Sequence, residues 1–379
     1  MMKSVGIICE YNPFHNGHLF HLQKIKEMFP KHLIILVVSP SFTERGEISV
    51  INKWDKTQIA LEAGIDLVIE LPFPFATQSA DMFAKGAVQL LEHMKCEYLV
   101  FGSESNNIEI LNELANIQLN NSEYNTLVNM YLQDGVNYPT ALSKALHQIS
   151  QITISEPNDL LGLSYVREIK KNNFNIKPIT IKRTNSYHNL NINSNIISAS
   201  AIRNLINHNE NIDNFIPNYV SKYVNKNNYQ GKLLELLKYK IISDNNLSIY
   251  QTVDEGIENR ILKNIDKCSS LEELILSIKT KRYTYNKISR MLIHILCSFT
   301  KADAARMKEI EYIRVLGFNK NGQNYLNKNK NNFSIPVITN CKSFDNPMLN
   351  LEHKISNIYD LITDNNFKDK LEKPIIKED

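Results

Sequence analysis

The first hundred residues alternate between short, apolar, β-branched runs and segments with helical spacing, and this alternation limits the folds open to the chain. Ser4–Cys9 (SVGIIC) and Leu33–Val38 (LIILVV) read as buried strands. Between them, Glu10–Gly17 carries the Asn, Pro and Gly of a loop. Leu19, Leu22, Ile25 and Phe29 then recur at helical spacing before Pro30 ends the helix. A strand–helix–strand unit of this size implies two parallel strands joined by a right-handed crossover. The pattern continues with a helix over Lys56–Ala63, a strand at Leu67–Ile69, a helix over Asp81–Leu91 and a strand at Tyr98–Phe101. The reading is an α/β fold with a doubly wound, Rossmann-like parallel sheet. Residues 108–150 and 160–170 read as helical, Ile176–Ile181 as a strand, and Ser198–Ile206 as a helix with Ser at its N-cap. Beyond residue 230 the periodicity is mostly helical, over Leu233–Ile242, Ile257–Ile265, Leu271–Ile278 and Ile288–Phe299, with one more strand expected in Val337–Cys341. The expected organisation is an α/β domain over 1–210 and a mostly α-helical, basic domain over 211–379.

Composition narrows the class. In 379 residues, 43% hydrophobic and 22% charged side chains with a net charge of +3 exclude a wholly disordered chain. No apolar run approaches the ~18 residues of a membrane span, and the N-terminus lacks the pattern of a secretory signal. The five cysteines form no CxxC pair, so neither a disulfide framework nor a zinc ribbon is expected, and the expected setting is cytoplasmic. Charge is unevenly placed. Residues 1–150 carry 10 basic and 16 acidic side chains, whereas 161–250 carry 12 basic and 5 acidic ones. A basic second half suits a polyanionic partner, although an Asn/Lys/Ile-rich compositional bias gives the same imbalance.

The most specific local feature is His15-Asn16-Gly17-His18, between the first strand and the first helix. Ligands of open α/β sheets bind at strand carboxyl ends, and a helix N-terminus offers free N–H groups to phosphate. Gly17 lets backbone approach a ligand, and two imidazoles can bear on one phosphoryl group, as neutral donors or as cations. Two histidines at this spacing also suit plain helix capping. A second segment, Ile197-Ser198-Ala199-Ser200-Ala201-Ile202-Arg203, places Ser198 and Ser200 at a helix start and Arg203 about one turn on, a set suited to outer phosphates or to an ordinary capped helix. Together H-x-G-H and I-S-x-S-x-x-R resemble the HIGH-type nucleotidyltransferase superfamily, which attacks the α-phosphate of a nucleotide and releases pyrophosphate. No Walker P-loop is present.

Longer stretches resemble the bacterial tRNA(Met) cytidine acetate ligases. They are Gly6–His18, Glu44-Arg45-Gly46-Glu47, Asp66–Asp81, Phe101-Gly102-Ser103-Glu104, Pro157–Gly162, Ile181-Lys182-Arg183, Glu255–Arg260 and the basic Lys281–Arg290. The resemblance implies an enzyme that adenylates acetate with ATP and passes the acetyl group to N4 of the wobble cytidine of elongator tRNA(Met). It also implies an ATP site over Ile7, Ile8, Cys9, Glu10, Tyr11, Asn12, Pro13, Phe14, His15, Asn16, Gly17, His18, Leu19 and Phe20, with Gly102, Asn158, Arg183 and Thr184. The residue after Arg183 departs from the family's basic pair, which leaves only a backbone contact there. On chemical grounds His15, His18 and Arg203 are the expected catalytic residues, and Ser198 and Ser200 join the ATP site.

Glu10 and Asp81 are candidates for proton handling, or simply salt-bridged groups. Arg45-Gly46-Glu47 with Lys53-Trp54-Asp55-Lys56 reads either as a mobile basic loop closing over substrate or as a core-anchored helix start. Lys281, Arg282, Tyr283, Lys287 and Arg290 interleave base and aromatic, suited to tRNA phosphates and unpaired bases, or to a packed helix's polar face. His294 and Cys297 read as core. No metal site is expected, and Mg²⁺ enters only as the usual companion of ATP. Two other functions fit part of this pattern: an adenylyltransferase of a phosphorylated cofactor precursor, and a non-catalytic RNA-binding protein.

Overall fold

The computed structural model describes residues 2–183, 195–225, 229–366 and 368–378. The first half runs β1 (Ser4–Cys9), α1 (Asn16–Met28), β2 (Leu33–Val38), α2 (Lys53–Glu62), β3 (Leu67–Glu70), α3 (Phe73–Ala76), α4 (Ala80–His93) and β4 (Tyr98–Ser103). Then follow α5 (Ile108–Asn120), α6 (Ser122–Gln133), α7 (Tyr138–Ser150), α8 (Pro157–Lys171), β5 (Lys177–Lys182) and α9 (Ala199–Asn207). The second half holds α10 (Gln230–Ser243), α11 (Ile257–Asn264), α12 (Leu271–Ile278), α13 (Tyr285–Leu296), α14 (Lys301–Arg306), β6 (Ile313–Phe318), α15 (Lys320–Asn329), β7 (Val337–Ile338), α16 (Pro347–Thr363) and β8 (Ile375–Ile376).

Strands pair in the order β5-β4-β1-β2-β3-β6-β7, with β8 also on β6. The five strands of the first half are parallel, in the 3-2-1-4-5 order of a doubly wound sheet. The β2 run is apolar at every position because both faces are covered. Leu33, Ile35 and Val37 enter the core beneath α4 and α8, and Ile34, Leu36 and Val38 the core beneath α1, α2 and α9. Gly6 lets α4 approach, since a Cβ there would lie 2.5 Å from Leu91 Cδ2. The strand order reverses between the parallel neighbours β1 and β4, so the crevice at their carboxyl ends is the switch point where such sheets bind ligands.

The sequence reading has no strand at Ile313–Phe318, yet β6 pairs antiparallel with β3 and is buried throughout. The mostly helical second half thus returns to the sheet. Arg314 on β6 is buried, with Nη1 3.1 Å from Glu70 and 2.8 Å from Asp369, while Lys53 Nζ lies 2.6 Å from Glu70 and 2.8 Å from Asp369. Lys53 and Lys56 are therefore interior groups, and Lys56 Nζ donates to the carbonyls of Ser39 and Pro40. This corrects the reading of Lys53–Lys56 as a basic loop over substrate. Trp54 is buried, with the Arg314 guanidinium over its ring. His294, as expected, is a core residue, with Nε2 2.7 Å from Thr77 O.

Removing Arg314 from this ion cluster leaves Lys53 as the one lysine or arginine shared by the buried Glu70 and Asp369 carboxylates among the described residues. Arg314→Ala is expected to cost about 3–5 kcal/mol, read as a lowered urea midpoint.

Candidate active site

The site begins where β1 ends. Tyr11 turns the chain with φ +46° and is buried, its ring 4.8 Å from those of Phe14 and His18. His15 is the N-cap of α1, and its Nδ1 accepts from Gly17 N at 2.9 Å. His18 Nδ1 accepts from His15 N at 3.2 Å, which closes a reciprocal capping box, and the two rings stack at 3.8 Å. Because each Nδ1 is an acceptor, each neutral ring carries its proton on Nε2. Burial drives the His15 pKa down to about 3, with Arg183 and Arg203 adding to the shift, and holds His18 well below the usual imidazole range. Of the two protonation states compatible with the sequence, the structure selects neutral donors. Gly17 is required on packing grounds, since a Cβ there would sit 2.8 Å from His15 Cε1 and 3.2 Å from Ile196 Cγ2.

The second motif meets the first. Ser198 caps α9 by accepting from Ala201 N at 3.2 Å. Arg203 donates to Asn12 O at 2.7 Å, to Ser200 Oγ at 3.2 Å and to Glu47. Asn12 in turn accepts from Val50 N at 2.9 Å. Across the switch point, Gly102, next to last in β4, lies beneath the Arg183 side chain, whose Cγ would be 3.2 Å from a Cβ at that position. Glu104 joins Arg183 (3.5 Å) to Asn158 (2.5 Å) and accepts from Asp159 N. Asn12, Gly102, Asn158, Arg183 and Arg203 line one cleft of about 1520 Å³, with Glu104 behind them.

Not every expected residue faces this cleft. Ile8, Cys9, Glu10, Tyr11, Asn12, His15, Gly17, His18, Phe20, Gly102, Asn158, Arg183, Ser198, Ser200 and Arg203 line it. Ile7 and Phe14 are core residues instead, and Pro13 and Leu19 lie off the lining. The Asn16 amide donates to Asn195 O and Asn214 O, tying α1 to the chain around α9. Thr184 lies outside the described residues. Sequence reasoning missed His21, which lines the cleft one turn beyond His18 and whose pKa burial lowers to about 4. Its signal was the three-residue spacing His15, His18, His21, one face of a helix.

Loop 43–47 is held at both sides. Arg290 on α13 bonds Glu44 O and Oε1, both at 3.0 Å, Ser289 donates to Gly46 O at 2.9 Å, and Arg203 holds Glu47. These contacts correct the mobile-loop reading. Gly46, at φ +75°, would drive a Cβ to 2.4 Å from Arg290 N.

The basic stretch divides. Lys281 and Arg282 are exposed, Arg282 facing Glu255 at 3.3 Å, and Lys287 lies 3.8 Å from the Tyr283 ring centre. Tyr283 is buried with its hydroxyl on Asp254 O at 2.7 Å, so it cannot stack on a base, which corrects that expectation. Arg290 is engaged with Glu44 inside the cleft wall rather than displayed outward.

The HIGH nucleotidyltransferase model matches residues 2–373. A protein of Anoxybacillus flavithermus named tRNA(Met) cytidine acetate ligase is 38% identical, covering 94% of each chain. The Bacillus subtilis protein of that name is also 38% identical, covering 95% of this chain and 92% of its own. The chain belongs to the tRNA(Met) cytidine acetate ligase family. Two Thermotoga maritima TmcAL crystal structures agree in fold over the full length of both chains at 29% identity, with TM-scores of 0.92 (apo) and 0.86 (bound to α-thio ATP). This ligase-family member carries His15 and His18 at its first strand–helix turn. Among the described residues no group of three or more His, Cys, Asp or Glu is placed to hold a metal ion, and no helix is long and apolar enough to cross a membrane.

His18→Ala removes one ring of the stacked pair and should lower ATP turnover by about 10²–10³-fold. Gly17→Ala should raise the KM for ATP by displacing His15. Circular dichroism of both variants is expected to match the parent.

Proposed function

We propose that this protein activates acetate with ATP and acetylates N4 of the wobble cytidine of elongator tRNA(Met). The observation that carries the reading is the pair of neutral, tautomer-fixed imidazoles at the N-terminus of α1, in a cleft that continues from the switch point to α13. In the first step an acetate oxygen attacks the α-phosphorus, forming acetyl-AMP and releasing pyrophosphate. The first N–H groups of α1 are all bonded within the chain, so Nε2–H of His15 and His18, set at the positive end of the α1 dipole, meets the charge that builds on the α-phosphoryl oxygens. Arg203, Ser198 and Ser200 face the departing phosphates, while Gly102, Asn158 and Arg183 flank the nucleoside. Mg²⁺ accompanies the triphosphate as its counter-ion.

The division of labour is that 1–210 performs the ATP chemistry and 211–379 meets the tRNA. Arg282 and Lys287 stand at the rim where α13 borders the cleft, with exposed Lys281 next to them in the chain, suited to phosphates of the anticodon arm. A small-molecule adenylyltransferase has no use for that rim, and a purely RNA-binding protein has none for a buried neutral imidazole pair.

Incubation with ATP, acetate and elongator tRNA(Met), followed by nucleoside mass spectrometry, should give N4-acetylcytidine at the wobble position. Unmodified cytidine, with wild-type protein and all three substrates present, refutes the reading. Lys281→Glu with Lys287→Glu should raise the KM for tRNA about tenfold or more and flatten its salt dependence, leaving the KM for ATP within twofold.

A further inference from the structure

The acetyl transfer needs a place for a proton, and among the described residues one carboxyl lining the cleft stands outside any ion pair, Glu44, Glu47, Asp81 and Glu255 each being paired with an arginine. As the cytidine N4 lone pair attacks the acetyl carbonyl carbon, the N–C bond forms and the bond from that carbon to the AMP phosphate oxygen breaks. AMP leaves with the electron pair, and one N4 proton must be taken up. His15 and His18 are poor acceptors, because burial holds both far below the usual imidazole range and each Nδ1 is already bonded. Asp81 is held by Arg167 at 2.5 Å and by Ser164 at 3.2 Å. The Lys56 ammonium is turned onto two backbone carbonyls.

Glu10 differs from all of these. It follows β1 directly and lines the cleft, on the side of the switch point opposite Gly102 and Arg183. Its Oε1 accepts from Glu44 N at 2.6 Å, which fixes the carboxyl, and no ion pair engages it among the described residues. Among the described residues no hydrogen bond is made to Oε2, and the side chain lines the cleft. The anchoring N–H belongs to loop 43–47, which Arg290 and Ser289 of α13 hold in place. The carboxyl therefore stands between the imidazoles that face the adenylate and the helix whose rim faces RNA.

We infer that Glu10 is the general base of acetyl transfer, accepting the N4 proton through Oε2, with Glu44, Arg290 and Ser289 as its positioning residues. This rests on the acetate ligase reading of the same cleft. The surrounding charges suit the role. Burial raises the Glu10 pKa to about 7, Glu44 and Glu47 add to the rise, and the Glu44 N–H and Lys56 oppose it. A base must be ionised to act, so the transfer rate should rise with pH and level off above about 7.

The test separates the two steps. Acetate-dependent ATP–pyrophosphate exchange reports adenylation, and single-turnover transfer from synthetic acetyl-AMP to tRNA(Met) reports the second step. Glu10→Gln should slow transfer about 100-fold or more, at least ten times the loss in exchange, and abolish the pH inflection near 7. Glu10→Asp should restore part of the transfer rate together with the inflection. Equal losses in both steps, or transfer at the wild-type rate, overturn the assignment. So does a wild-type transfer profile without an inflection near 7, which needs no variant to fold. If the wild-type protein forms neither acetyl-AMP nor acetylcytidine, the ligase reading fails first. If it forms both and Glu10→Gln keeps pace, only the assignment to Glu10 fails.

Discussion

The site depends on how one helix is started. Most helices are capped by a short oxygen-bearing side chain, but α1 is capped by an imidazole, and a second imidazole one turn on completes the box. Those two bonds occupy both Nδ1 atoms, and with them the protein chooses the tautomer, the ring planes and the direction in which two N–H donors point. Burial between Tyr11, Phe14 and the body of the domain keeps the rings neutral. A group that helps phosphoryl chemistry without carrying charge has no counter-ion to shed when nucleotide arrives. Glycine at position 17 follows from the same arrangement, because any side chain there would collide with the capping ring.

A second layer of organisation comes from segments distant in sequence that converge on loop 43–47. Arg203 from α9 reaches Asn12 and Glu47, and Arg290 and Ser289 from α13 reach Glu44 and Gly46. The wall of the cleft is thus assembled from the first strand–helix turn, a loop of the sheet, the ninth helix and the helical second half. Pairing of each cation with a nearby carboxylate or carbonyl fixes geometry more than it adds stability, since such groups are partly desolvated in any case.

Much of this was legible in the sequence, and the reason is physical. Parallel strands covered on both faces must be apolar throughout, so SVGIIC and LIILVV announce themselves, as do the turn residues between them. Strand β6 was not legible, because Arg314 and Gly317 interrupt its apolar run and nothing local says that the arginine is buried against carboxylates from elsewhere. For the same reason Lys53 and Lys56 read as surface charge. Tyr283 read as an exposed stacking platform because its basic neighbours are exposed, while the ring itself turns inward to Asp254. His21 was within reach of simple helical arithmetic and was passed over because it lies outside the short motif.

The antiparallel pairing of β6 with β3 has a consequence for how the chain is made. Once residue 70 leaves the ribosome, the outer edge of β3 has no strand to bond until residue 313 follows, roughly 240 residues or ~12–50 s later at ordinary synthesis rates. During that interval an edge apolar from Leu67 to Ile69, with unsatisfied amides, is open to any extended peptide. The nucleotide-binding half is therefore not a module that can be cut free at residue 210. It is a sheet held open until the far end of the protein returns to close it.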